Sequence, residues 1–156
     1  MANINYGCRS IQMLKTINFK NFSSFIELKI DSFINNKEFQ HNYYMFKCVE
    51  IQNYNLFFGL SPFTNKKVNP SEYFIKKLIS FDCINWIDCG NYKDYKMFKD
   101  NKHLNCHVGE ILFYNNLLNI ILFTNCMNKD SYFESKVYNL PDNLTKNQLI
   151  EFFKNL

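Results

Sequence analysis

Two histidines and a cysteine lie close together in the stretch HLNCHVGEILFY, and these residue types can perform chemistry. His103, Cys106 and His107 are spaced i, i+3 and i+4, which on a helix would put them on one face, where they could bind zinc. The same thiol and imidazoles, with Glu110 nearby, could supply a hydrolase with a nucleophile and an acid or base. Both chemistries depend on the backbone conformation of this stretch.

The surrounding residues favour an extended backbone here. Gly109 and the apolar run that follows it are typical of a loop that leads into a strand, in which Cys106 and His107 point to opposite sides. The sequence contains no CxxC pair to complete a zinc site, no G-x-S-x-G motif and no glycine-rich phosphate loop. We therefore expect no metal and no cofactor.

A hydrolase remains the alternative hypothesis. Its catalytic residues would be His103, Cys106, His107 and Glu110, or carboxylates elsewhere in the region 100–134. Glu110 and Glu134 fall on strand candidates that we expect to be neighbours, so the two carboxylates could face each other across a sheet. Solvent-facing positions with lysine partners are the simpler expectation for both residues.

The segment YKDYKMF, residues 92–98, mixes cations with aromatic rings. This mixture could anchor a protein interface through tyrosine, or it could stack the bases of a single-stranded nucleic acid. Nucleic acid is the less favoured partner because Arg9 is the only arginine in the chain. A third interpretation is an edge hairpin whose lysines prevent aggregation. The predicted partner-binding residues are Tyr92, Lys93, Tyr95, Lys96 and Phe98.

Composition places the chain among small globular proteins. Its 156 residues are 47% hydrophobic, 18% aromatic and 21% charged, with a net charge of +4. This length fits a single domain, 1–156, that buries a core without disulfides. The N-terminus lacks a signal-peptide layout, and no apolar run reaches the roughly 18 residues that span a bilayer. We therefore expect a cytoplasmic protein that does not engage a membrane.

Strand signals recur along the chain. Ile26, Leu28 and Ile30 alternate with polar residues, and Asn115-Asn116 separates two apolar runs as a tight hairpin turn does. The pattern predicts strands at 25–30, 83–88, 94–98, 108–114, 117–124 and 132–139, and a hairpin over 43–60.

Helix signals occur twice. Asn69, Pro70 and Glu72 form a start signal, and the apolar residues that follow share one face of a helix predicted at 70–80. Thr145 and Gln148 form a capping box for a second helix, predicted at 145–155.

Together these elements predict an α+β fold with a mainly antiparallel curved sheet, or a partial barrel, and two helices. Since no catalytic signature is found, the sequence favours a non-enzymatic protein-binding module. Its specific version is a small immunity or antitoxin-like protein that neutralises a partner protein such as a toxin. The abundance of Asn, Lys, Ile, Phe and Tyr is typical of an AT-rich genome. A net basic chain would require an acidic partner or a local acidic patch. The oligomeric state stays open.

Overall fold

The computed structural model describes residues 11–16, 18–31, 41–43, 46–65, 73–95, 106–124 and 132–156. These residues form eleven strands and one complete α-helix. In chain order the elements are β1 (Gln12–Met13), β2 (Ile26–Glu27), β3 (Lys29–Ile30), β4 (His41–Tyr43), β5 (Lys47–Ile51), β6 (Leu56–Asn65), β7 (Tyr73–Ser80), β8 (Asn85–Tyr95), β9 (Cys106–Tyr114), β10 (Leu117–Thr124), β11 (Tyr132–Asn139) and α1 (Lys146–Lys154). A 3-10 turn, Gln52–Tyr54, joins β5 to β6.

The strands form three open sheets. The large sheet has the order β3-β8-β7-β6-β4, and β5 pairs with β6 beside β4. The small sheet has the order β11-β10-β9, and β1 pairs with β2 in a separate hairpin. The described strand pairs are antiparallel except β3 with β8, so the predicted antiparallel character holds for the others.

Both faces of the large sheet are covered. On one face, Phe58 and Ile79 belong to a core shared with the small sheet and with Phe153 of α1, whose ring stacks on Phe58 at 4.8 Å between centroids. The β10 members of this core are Leu118, Ile120 and Leu122. On the opposite face, Leu78 and Trp86 pack against the N-terminal strands, which contribute Leu28 and Ile30. Burial on both faces explains why β6, at the centre of the large sheet, is largely apolar.

The hairpin between β9 and β10 is confirmed. Asn115 and Asn116 both have left-handed backbone conformations, with φ of 49° and 61°. Two consecutive residues with positive φ are the requirement of a type I′ turn, which Asn tolerates better than most residues do. The hairpin predicted over 43–60 is also confirmed in β5 and β6, where Asn55 has a φ of 46°.

The helix predicted at 70–80 is wrong. Residues 73–80 form β7, which lies between β6 and β8 in the large sheet. Ile75 and Ile79 pack in the core toward the small sheet, whereas Phe74 and Leu78 pack on the opposite face. A strand that is apolar on both faces contains apolar residues at helical spacing as well, so the periodicity could not separate the two structures. The start signal at 69–72 lies outside the described residues.

The fold class is corrected with it. The predicted α+β fold with two helices is wrong. The described residues form a mostly β fold of three sheets, and α1 is the one complete helix among them. The C-terminal helix itself is confirmed: the Gln148 amide donates to Thr145 Oγ1, and the Thr145 amide donates to Gln148 Oε1 at 2.8 Å. No helix in the part of the chain described is long and apolar enough to cross a membrane.

Two strand boundaries also differ from the prediction. The segment 25–30 is divided between β2, which pairs with β1, and β3, which pairs with β8. The strands predicted at 83–88 and 94–98 belong to one strand, β8, which continues through Gly90 with a φ of 87°. Residues 96–98 lie outside the described ranges.

Candidate protein-binding surface

The small sheet has one face in the core and one face in solvent. Strand alternation and register place large apolar side chains from all three strands on the solvent side, which we call the outer face. Tyr114 is 76% exposed and Phe133 is 70% exposed, which is unusual for side chains of this size. The exposed apolar members of the outer face are Leu112, Tyr114, Leu117, Phe133 and Val137.

Cross-strand pairs organise the outer face. Phe123 and Phe133 are register partners, and their ring centroids lie 4.8 Å apart. Near the middle, the Ser135 hydroxyl donates to Asn119 Oδ1 at 2.8 Å, so these polar groups satisfy each other. The face therefore offers rings and methyl groups to a partner, with few polar groups that would need new hydrogen bonds.

Glu110 is the charged residue of the outer face among the described side chains of β9. Its Oε2 atom lies 3.6 Å from Lys47 Nζ, and its Oε1 atom accepts a hydrogen bond from the Ile111 amide at 3.1 Å. Both side chains of the ion pair are well exposed, so the pair adds little to stability. The ion pair neutralises the charge of Glu110 at this corner of the outer face.

Tyr92, the first of the predicted partner-binding residues, contacts the protein itself. Its hydroxyl lies 2.9 Å from the Tyr138 hydroxyl, and the two rings meet edge to face at 6.4 Å. Burial, together with the hydrogen bond to Tyr138, raises the pKa of Tyr92 above its ordinary value. This pair joins β8 of the large sheet to β11 of the small sheet.

For the other predicted binding residues the structure describes the backbone at most. Lys93 and Tyr95 lie on β8, where their backbones pair with Ile75 and Tyr73 of β7. Lys96 and Phe98 lie outside the described residues. Tyr92 is therefore the one residue of this predicted surface whose side chain the structure describes, and it contacts Tyr138.

The residues of the hydrolase alternative are only partly placed. His103 lies outside the described residues, and the backbones of Cys106 and His107 pair with Thr124 and Phe123 on β10. Within the described ranges, no group of three or more His, Cys, Asp or Glu side chains lies close enough together to hold a metal ion.

The expectation that Glu110 and Glu134 lie on neighbouring strands is wrong. They lie on β9 and β11, and β10 separates the two strands. Glu110 is in register with Ile121, whereas Glu134 is in register with Leu122. Because successive residues of β10 point to opposite faces, the two carboxylates do too. They cannot act as a pair.

A buried cation and a buried thiol lie near the end of α1. Lys77 on β7 is 2% exposed, and its Nζ atom donates to the Lys154 carbonyl oxygen at 2.7 Å. Burial lowers the pKa of Lys77, while burial and then the charge of Asp88 raise the pKa of the Cys89 thiol to about 12. A thiol held protonated in this way is a poor nucleophile, so Cys89 acts as a core residue.

The outer face could not be recognised from alternation alone. The run from Ile111 to Phe113 is apolar at every position, and so is the run from Ile120 to Phe123. The sequence predicts ordinary core strands for such runs. One signal could have revealed the outer face. A strand that is apolar on both faces needs a covering layer on each side, and the core covers only one face of the three-stranded small sheet.

No protein-family model matches the chain, and neither a curated protein nor a solved structure shows significant similarity to it.

Proposed function

We propose that this protein is a non-enzymatic protein-binding module that docks a partner protein on the outer face of its small sheet. The observation that carries the proposal is the exposure of five large apolar side chains on one sheet face. An aromatic side chain contributes about 150–250 Å² when buried, so Tyr114 and Phe133 present roughly 300 Å², and the three half-exposed aliphatic side chains raise the total to on the order of 500 Å². A patch of that size lies near the upper end for monomers, where patches are often functional.

The partner that fits this face is an acidic protein with an apolar patch of its own. A standard interface buries about 800 Å² on each partner, so the outer face would form its centre and the polar surroundings its rim. The chain carries a net charge of +4, which favours an acidic partner and disfavours a second copy of the same charge.

The specific version of the proposal is an immunity or antitoxin-like protein that neutralises a toxin in the cytoplasm. The cysteines with described side chains support the location, because Cys48, Cys83 and Cys89 are all free. Free thiols are typical of a reducing compartment. The small size of the chain is compatible with an inhibitor that acts by occupying its partner.

The experiment uses the product of the adjacent gene as the candidate partner. Titration calorimetry and a melting scan should show binding and a rise in Tm of the complex. Phe133→Ser and Tyr114→Ser should each weaken binding about tenfold or more, because both remove an exposed ring from the outer face. Phe25→Ser is the matched control, since Phe25 is 68% exposed but lies next to β2.

Three outcomes would contradict the proposal in different ways. Equal affinity of the Phe133→Ser and Phe25→Ser variants would exclude the outer face as the docking surface. No binding and no rise in Tm with the candidate would remove the antitoxin version. A dimer in sedimentation that Phe133→Ser dissociates would identify a second copy as the occupant of the face.

A further inference from the structure

A second exposed apolar surface lies on the N-terminal hairpin. Its base is anchored, because Ile11, Met13 and Leu28 pack on the core beside Trp86. Beyond the β1–β2 pair, Thr16 and Phe22 form an isolated antiparallel bridge, and the Ser23 amide donates to the Lys15 carbonyl oxygen at 2.8 Å. The hairpin therefore presents the turn between these strands away from the core.

Side chains fix the conformation of this turn. The Phe19 amide donates to Thr16 Oγ1 at 2.9 Å, and the amides of Lys20 and Asn21 both donate to Asn18 Oδ1 at 3.0 Å. Phe19 has a φ of 57°, a left-handed conformation that is strained for a bulky residue. Strain of this kind persists where the surroundings impose it, and it is often found at functional sites.

The strained residue gains no packing inside the described part of the protein. The Phe19 side chain is 85% exposed, and Leu14 and Phe22 beside it are 42% and 56% exposed. These three side chains line one shallow surface together with Lys15. Residues 11–26 contain two lysines, Lys15 and Lys20, and no acidic residue. We call Leu14, Lys15, Phe19 and Phe22 the Phe19 surface, and the exposed Lys20 follows Phe19 directly in the chain.

We propose that the Phe19 surface binds the interface of an anionic lipid membrane. Phe and Leu side chains of surface-bound segments insert at the boundary between headgroups and acyl chains, and lysines beside them are attracted to anionic lipids. A short turn with three apolar side chains supplies a weak apolar anchor, which basic residues must supplement. The mixed chemistry here contrasts with the outer face, whose described side chains carry little charge and suit a protein partner.

This binding is peripheral and reversible. The rings of Phe19 and Phe22 would enter the headgroup region, and the ammonium groups of Lys15 and Lys20 would contact lipid phosphates or carboxylates. The inference departs from the expectation that the protein does not engage a membrane, because that expectation rested on the lack of a bilayer-spanning segment and did not consider peripheral binding. It is independent of the proposed function, because it involves a different surface and a different class of partner.

The test is co-sedimentation of the whole chain with vesicles of phosphatidylcholine, with and without about a third of phosphatidylserine. The protein should bind the anionic vesicles, and the affinity should fall as salt is added. Lys15→Glu should weaken binding about fivefold or more, whereas Lys136→Glu makes the same charge change on β11 and should have a smaller effect.

Phe19→Asn separates binding from folding. Asn tolerates the left-handed backbone, so this variant should keep or raise the Tm while its vesicle affinity falls about tenfold. No binding of the wild-type protein to anionic vesicles would overturn the proposal, and so would unchanged binding of Phe19→Asn. Loss of the protein partner by Phe19→Asn with vesicle binding intact would assign the surface to a protein instead.

Discussion

The ammonium group of Lys77, on a central strand of the large sheet, donates a hydrogen bond of 2.7 Å to the carbonyl oxygen of Lys154 in the last turn of α1. The last carbonyl groups of a helix lack intrahelical partners, and that end carries a partial negative charge. The buried lysine therefore satisfies an acceptor and complements the helix dipole. It fixes α1 to the sheet by a polar contact in addition to apolar packing.

Lys77→Met tests this contact. Met keeps most of the apolar stem but cannot donate to the Lys154 carbonyl, so we expect a loss of about 1–2 kcal/mol in the free energy of unfolding, measured in urea. Lys136→Met on β11 is the control, because its side chain is 55% exposed, and it should change stability by less than about 0.5 kcal/mol. Equal effects of the two variants would show that the buried contact contributes nothing.

The pH dependence of Lys77→Met gives a second readout. Burial lowers the pKa of Lys77 below its ordinary value of 10.5, so the unfolded chain binds more protons between the two pKa values. In that window the contribution of Lys77 to stability rises with pH. Unfolding of both proteins in urea at several alkaline pH values should show this rise in the wild type relative to Lys77→Met. Parallel pH profiles of the two proteins would contradict a lowered pKa.

The hydrogen bond between the hydroxyl groups of Tyr92 and Tyr138 predicts that the two side chains contribute to stability as a pair that joins the two sheets. Tyr92→Phe should lower stability by about 0.5–1.5 kcal/mol, because one partner loses its hydrogen bond. Tyr138→Phe should lower it similarly, and the double variant should lose less than the sum. Additive losses in chemical denaturation would show that the hydroxyl groups do not interact.

The turn between β7 and β8 depends on Asp82. Its carboxylate accepts from the Asn85 side chain at 2.6 Å, and from the amides of Asn85 and Ile84 at 2.7 and 2.8 Å. These hydrogen bonds, first that of the Asn85 side chain, hold the pKa of Asp82 well below its ordinary value. The stabilisation is present above pH 3.8 and is lost as pH falls through the lowered pKa.

Asp82→Ala should destabilise the protein at neutral pH by about 1–2 kcal/mol, as loss of a comparable capping side chain does. The difference from the wild type should shrink when unfolding is measured at progressively lower pH. A constant difference across the acid range would show that ionisation of Asp82 does not contribute.

Gly59 leaves room for an aromatic ring. A methyl group at this position of β6 would overlap the ring of Phe46, which packs edge to face on Trp86 at 4.9 Å. Gly59→Ala should therefore lower stability by about 1–3 kcal/mol in thermal or urea unfolding. In a Phe46→Leu background the same substitution should have a smaller effect, and an unchanged effect would assign the loss to the backbone.

The sequence predicted those elements whose local signals agree with their tertiary environment. The capping box of Thr145 and the Asn115-Asn116 turn are short-range features, and both are present in the structure. β7 was not predicted because a strand buried on both faces shows no alternation, and a nearby start signal then favoured a helix. Local chemistry there was outweighed by pairing with β6 and β8.

The candidate surfaces were less predictable than the fold. Whether Tyr92 faces a partner or Tyr138 depends on how two sheets pack, and residues 46 positions apart carry no local sign of that contact. The outer face required knowledge of the strand count in the small sheet. The Phe19 turn contains polar residues that are ordinary in loops, and only its backbone angle and exposure distinguish it.

The parallel pairing of β3 with β8 has a consequence for synthesis on the ribosome. Lys29 and Ile30 pair with Asn85 and Trp86, so β3 stays without its neighbour until more than fifty further residues have been translated. The hairpins of the intervening segment can form earlier, since their strands are adjacent in the chain. In nascent chains of this protein the backbone of β3 should therefore stay unpaired for longer than that of any hairpin strand in the described ranges.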